Sequence, residues 1–369
     1  MKNAKQYFLY LLKNNLRALI IISLCVVFLG VLISTTMVFE YKTYYNDELQ
    51  RFVDVDEYMT NGYYYDGGIK RPCPTPSRVV YYRNTHLMYP TVMLMIISVF
   101  TPIWMFANTK KRKNLDCFYS LPISRRSFAM THYLVGLIMT FVPFLLSYIT
   151  VLITYLIKDM PKFVDLKFSM IFIHFLICVL MGLVIYTILV FVFNEANSVF
   201  DGCVLIGTYL IYPMVWLSII SSLLDINIRI DETFAIPQVL FGDILGELCE
   251  KIELFGLAHF SMSNDPAWVE WLVIYTVLAV AAFIGFHYRS GSKKAESAEN
   301  VSDTPFGYKT LIPLMAIPVA LYSNILGSLF ILITALIGYT IYRRGVKYKK
   351  SDYIVLAILA GLMFIPSIY

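Results

Sequence analysis

Apolar residues in this chain come in uninterrupted blocks of about 18 to 25, the length an α-helix rising ~1.5 Å per residue needs to cross a hydrocarbon core of ~30 Å. The blocks fall near 18–39, 88–107, 131–157, 168–193, 200–224 and 268–288, followed by 311–342 and 352–369. No period-2 alternation runs through them, so an all-α integral membrane bundle remains as the way to satisfy backbone groups in lipid. Composition agrees: 58% of the 369 residues are hydrophobic and 15% charged, a balance outside the soluble globular range. Block 311–342 is too long for one comfortable span and carries Ser323, Asn324 and Gly327 near its middle, which predicts a hairpin of two short helices. The total comes to about nine crossings.

The start, MKNAKQYFLYLLKNNLRALIIISL, lacks a small-residue cleavage site after its apolar run, so it reads as a basic amphipathic lead-in helix plus the first span. Orientation follows from where Lys and Arg collect. Lys2, Lys5, Lys13 and Arg17 precede the first span; Lys110 to Lys113, Arg125 and Arg126 follow the second; Lys293, Lys294 and Lys309 follow the sixth; Arg343 to Lys350 follow the hairpin. All four groups fall on one side, which places the N-terminus in the cytoplasm. The net charge of +5 is thus a matter of topology, and no nucleic-acid partner is expected.

Two larger loops are expected outside. Residues 40–87 are rich in tyrosine (Tyr63, Tyr64 and Tyr65 among them) and carry a turn signal at Asp66-Gly67-Gly68; they suit either a binding face or an interfacial aromatic belt with a small folded cap. Residues 225–267 are acidic, and Leu240, Ile244, Leu248, Ile252 and Phe255 recur at helical spacing, which predicts an amphipathic helix on the outer membrane face. Cys73 and Cys249 both lie in these loops, leaving a disulfide open. No C-x-x-C pair occurs and no metal site is expected.

The chain has no G-x-x-x-x-G-K-[ST] loop, no nucleophile elbow and no catalytic constellation, so no enzymatic activity of its own is expected. Within the spans only His174 sits near mid-depth, and a lone histidine there is read as a packed, hydrogen-bonded side chain, not a proton relay. Any energy for transport has to come from a partner.

Between the second and third spans lies NTKKRKNLDCFYSLPISRRSF, residues 108–128, with six Lys or Arg residues against the single acid Asp116. Asn114 can cap a short helix that places Leu115, Phe118 and Tyr119 on one face at i, i+3 and i+4, with Asp116 and Ser120 elsewhere. Pro122 ends it, because the residue before proline is pushed out of the helical region, and Ser124 can cap the next helix. Such a helix, hinged without slack to two spans, transmits force from a docked partner.

The run from Asp116 through Phe118, Tyr119, Ser120, Leu121, Pro122, Ile123, Ser124 and Arg125, followed by Tyr133-Leu134-Val135-Gly136, resembles the "D-x-x-x-SLPISR … YL-x-G" signature of bacterial ABC type-2 transporter permeases. Tyr288-Arg289 with Lys294 to Ala298 is similar to that family's basic tail after the sixth span. Two departures stand out: Glu299 where the family often has glycine, and His132 where a lysine is common. Neither is expected to bear on the coupling contacts. The resemblance implies a type V exporter-like fold over 1–290, with 291–310 as a cytoplasmic linker and 311–369 as additional spans. It implies that residues 115–124 form the coupling helix contacting separate cytoplasmic ATPase subunits, which bind ATP and Mg, while this chain holds no cofactor.

By the same analogy the chain sits in a bacterial plasma membrane, pairs with a second permease in a homo- or heterodimer, contacts membrane lipid, and exports an amphipathic peptide or lipid-like substrate. The alternative keeps the ATPase but makes the complex a sensor of the cell envelope without bulk transport. A substrate pathway is expected on the second and fifth spans, where Trp104, Tyr209, Tyr212, Pro213 and Trp216 supply aromatic surface and Pro213 can kink the helix.

Overall fold

The computed structural model describes residues 2–49, 63–66, 69–72, 84–157, 168–210, 267–292, 298–302, 304–322, 325–343, 345–346 and 348–362. Ten helices and one hairpin fill them. In chain order they are α1 (Lys2–Leu49), β1 (Tyr63–Asp66), β2 (Ile69–Pro72), α2 (Asn84–Phe106), α3 (Arg112–Tyr119), α4 (Arg125–Ile157) and α5 (Phe168–Glu195). A short apolar helix α6 (Val199–Leu210) follows, then α7 (Ala267–Ser292), α8 (Tyr308–Tyr322), α9 (Ile325–Arg343) and α10 (Lys350–Leu362). Six of them, α1, α2, α4, α5, α7 and α9, are long and apolar enough to cross a membrane. The protein is an all-α membrane protein apart from the small antiparallel hairpin, in which Asp66 pairs with Ile69; Gly67 and Gly68, where the turn is expected, lie outside the described residues.

The amphipathic lead-in and the first span run together as one uninterrupted helix. Packing holds the lead-in in place. Tyr7, Leu11, Leu19, Ser23 and Val26 are buried along one face, and α1 lies against α4 from its first turns, with the Tyr7 ring stacked 5.3 Å from Phe128. The opposite face exposes Tyr10, Ile21, Leu24 and Phe28. An apolar outer face is what lipid contact requires.

The core lies where α2, α4, α5 and α7 meet. Two of the threonine hydroxyls inside it are bonded within their own helix: Thr140 donates to the Gly136 carbonyl at 3.0 Å and Thr187 to the Leu183 carbonyl at 2.7 Å. His174 is fully buried, its Nδ1 3.1 Å from the Tyr148 hydroxyl, which in turn donates to the Ile171 carbonyl at 3.0 Å. This is the packed, hydrogen-bonded arrangement the sequence suggested.

The expected hairpin in 311–342 appears as α8 and α9, which pack on each other and on α10 around Ala320, Ala335 and Leu359. Arg343 and Asp352 close this unit through a bidentate pair at 2.8 and 2.9 Å. The fifth apolar block is described only as far as Leu210, and the 225–267 insert, Cys73 and Cys249 lie outside the described residues.

Candidate functional site

The second apolar block ends in a 3₁₀ turn, Ala107–Lys110, and Lys111 then turns extended, with φ −90° and ψ 121°. Helix α3 begins at Arg112, three residues earlier than a cap by Asn114 would place it. The reason is a partner that local sequence cannot reveal. The Arg112 amide donates to the Glu299 carboxylate at 3.2 Å, so the first turn is capped from a residue 187 positions away. At the far end α3 stops at Tyr119, as the Leu121-Pro122 pair dictates, and the Leu121 amide donates to the Phe118 carbonyl at 3.3 Å. Ser124 caps α4 as expected, its Oγ accepting from the Ser127 amide at 3.2 Å.

The segment is not simply a flat surface for a partner. Phe118, Leu121 and Ile123 are half-buried and pack onto the chain's own core. The Phe118 ring lies 5.2 Å from Phe128 and edge-on to His132 at 6.5 Å. His132 is buried among Tyr7, Phe106 and Phe128, with ring centroids 5.8, 5.7 and 4.4 Å away. What faces outward is Lys111, Arg112, Lys113, Ser120, Pro122, Ser124 and Arg125. The side chains of Leu115, Asp116 and Tyr119 lie outside those described.

Both departures from the family pattern therefore touch this segment, a correction to the expectation that neither does. His132 supports Phe118. Glu299 caps α3 from a backbone with φ +62°, a left-handed conformation that glycine adopts freely and other residues adopt at a cost of about 1–3 kcal/mol.

Around the segment the ends of several helices are tied together. Lys110, the first lysine of the KKRK run, is buried and donates through Nζ to the carbonyls of Asn194 (3.0 Å) and Ala196 (2.6 Å). These lie at the carboxyl end of α5, where a helix leaves carbonyls unsatisfied and favours a cation. Arg289, at the end of α7, pairs with Glu195 at 2.7 Å, and Arg126 lies over the Tyr288 ring at 5.8 Å.

The 291–310 connection is docked over its described residues. The Glu299 amide donates to the Asn197 carbonyl at 3.0 Å. Ser302 donates from its amide and hydroxyl to Asp201 Oδ2 at 3.0 and 2.7 Å, and the Tyr308 hydroxyl donates to Oδ1 at 2.9 Å. The contacts thus gather the start of α1, both ends of the α3 segment, the α5–α6 turn and the tail of α7 at one end of the bundle, which matches the grouping of their basic residues. Sequence reasoning missed Lys110, Asp201, Glu299 and Ser302 as a set. Only the glycine-like position of Glu299 hinted at it.

The expected substrate-pathway residues are only partly brought into view. Trp104 is 57% exposed and continues a stripe of Val92, Ile96 and Phe100 at four-residue spacing on α2; its Nε1 donates to Asn15 Oδ1 at 3.2 Å. Tyr209 instead donates to the Phe306 carbonyl at 3.2 Å, beside the docked strap. Tyr212, Pro213 and Trp216 lie outside the described residues.

Compared with known proteins, the chain matches no curated protein and no solved structure. Residues 76–245, which include α2, the whole α3 segment, α4, α5 and α6, match a family model described as ABC-2 family transporter protein. Members of that family work with an ABC ATPase. Residues 76–245 are thus similar to the ABC-2 family of transporter proteins, and six helices among the described residues are long and apolar enough to make this a multi-pass membrane protein.

Proposed function

We propose that the protein is the permease of an ATP-driven exporter in which residues 115–124 are the coupling helix, docking on a cytoplasmic ABC ATPase that binds ATP and Mg. The observation that carries this reading is a two-turn helix held without slack between two spans. Phe118, Leu121 and Ile123 anchor it inward while Ser120, Pro122, Ser124 and Arg125 face outward. Force applied to the outer face reaches α2 and α4 because the inner face cannot slide over the core. The cargo is an amphipathic peptide or lipid-like molecule, moved along the exposed apolar stripe of α2 at the contact with a second permease subunit. That stripe is apolar with an indole polar tip, chemistry that suits an amphipathic ligand better than a solvated ion.

The docking face is tested with Ser120→Trp combined with Arg125→Glu. The ATPase retained by the protein when purified from its native membranes, identified by its phosphate-binding loop, is expected to fall at least tenfold, which is ~1.4 kcal/mol of binding. The amount of inserted protein stays unchanged, since both positions are exposed. Full complex and full ATP turnover in the double variant would show the segment to be only a topological anchor.

The cytoplasmic placement is tested separately, with single cysteines at Lys111 or Tyr64 in a cysteine-free background and an impermeant thiol reagent on intact cells. Labelling at position 64 and not at 111 is expected. The reverse pattern inverts the orientation.

A further inference from the structure

We infer that Glu299 is a positioning residue whose carboxylate, together with Ser302 and Asp201, clips the α3 segment to the α5–α6 turn and to the strap leading into α8. The clip makes these parts one moving unit. The inference rests on the coupling-helix reading for what the unit receives, but the clip itself is built from contacts within this chain.

Three observations combine. First, the strap is bonded on both sides: Glu299 accepts from the Arg112 amide through its side chain and donates to Asn197 through its backbone. Second, the α5–α6 turn is bonded to the same strap at several points. The Asn197 amide donates to Ser302 Oγ at 2.9 Å, Asn197 Nδ2 to the Val301 carbonyl at 3.3 Å, and buried Asp201 takes three donors from Ser302 and Tyr308. Third, Glu299 holds φ +62° while exposed to solvent. An exposed residue with no packing role gains nothing from a left-handed backbone that glycine would adopt more easily, unless its side chain is used there. The cap on Arg112 is that use.

The consequence is a route for motion that adjacency in sequence does not supply. Read along the chain, α3 can move only α2 and α4. Through the clip, displacement of α3 also moves the α5–α6 turn and, by way of Asp201 and Tyr308, the start of α8. The three C-terminal helices thereby become part of the driven body.

Hydrogen exchange on the purified permease tests the clip without any ATPase. Glu299→Ala and Glu299→Gly are both expected to speed exchange of the first-turn amides of α3 about fivefold, the effect of losing one cap. Glu299→Gln, which keeps a side-chain acceptor, stays near the parent rate. Glu299→Gly also relieves the backbone conformation, so it melts no lower than the parent while still losing α3 protection. A residue important only for stability would not separate these two readouts. Equal α3 exchange in all four proteins overturns the clip.

The second arm uses the complex with its ATPase and spin labels on cysteines replacing Lys113 and Phe200, both exposed. Trapping with ATP and vanadate is expected to leave this distance unchanged when Glu299 is present and to shift or broaden it in Glu299→Ala. A distance that changes equally in both sinks the clip. If the ATPase neither protects α3 nor binds at all, while exchange still depends on Glu299, the coupling reading fails and the clip stands.

Discussion

Gly136→Ala is expected to destabilise the bundle by about 2–4 kcal/mol, seen as a drop of several degrees in the melting temperature of the detergent-solubilised protein. A Cβ at this position would lie 2.0 Å from the Tyr186 hydroxyl oxygen, 2.9 Å from Cζ of the same ring and 3.3 Å from Met105 Cγ. Tyr186 has nowhere to go. It is fully buried, its ring lies 5.4 Å from that of Tyr133, and its hydroxyl donates to the Tyr133 carbonyl at 3.0 Å. Inserting a methyl group forces α4 and α5 apart or drives the hydroxyl off its acceptor, and a buried hydroxyl without a partner costs about 1–3 kcal/mol. The gain in helix propensity from glycine to alanine, about 1 kcal/mol, offsets part of this and is included in the range. Tyr186→Phe removes the atom in closest conflict, so the double variant should recover part of the loss. A Gly136→Ala protein that melts with the parent would mean that α4 and α5 are not packed this closely. The glycine of the Tyr133-Leu134-Val135-Gly136 run is thus explained by a tyrosine fifty residues further along.

The second large effect is expected at Lys110, and its contrast with Lys111 is the informative part. Lys110→Met should cost about 3 kcal/mol, because it strips the buried carbonyls of Asn194 and Ala196 of a charged donor at 3.0 and 2.6 Å. Methionine fills much of the lysine stem's volume, so the loss comes from the missing donor and not from a cavity. The aromatic face of Phe193, whose centroid lies 5.6 Å from Nζ, loses its cation as well. Lys111→Met, at an exposed position one residue away, should stay within about 0.5 kcal/mol of the parent. Thermal unfolding of the two purified variants side by side decides the matter. Equal melting temperatures would show that Lys110 is just another solvated charge of the KKRK run.

Much of the candidate site could be read locally. Pro122 ends α3 and Ser124 caps α4 because proline and serine act on their own and the next few residues, which is a short-range effect visible in any window of sequence. The division of the 311–342 block into α8, ending at Tyr322, and α9, beginning at Ile325, is legible for the same reason. Which partner covers the lead-in was not legible: Tyr7 and Leu11 are buried by a helix that begins at Arg125.

By itself, the sequence determined the class of the protein. Blocks of apolar residues long enough to cross lipid leave a helical membrane bundle as the outcome, and charge between blocks sorts their ends into two sets, since both follow from the cost of placing backbone and charge in hydrocarbon. Tertiary structure alone decided which of four consecutive basic residues is buried, which carboxylate caps α3, and which way Phe118, Leu121 and Ile123 point. Those outcomes depend on partners 84 to 187 residues away. Nothing in the local chemistry of a lysine or a phenylalanine records which distant helix will come to lie against it.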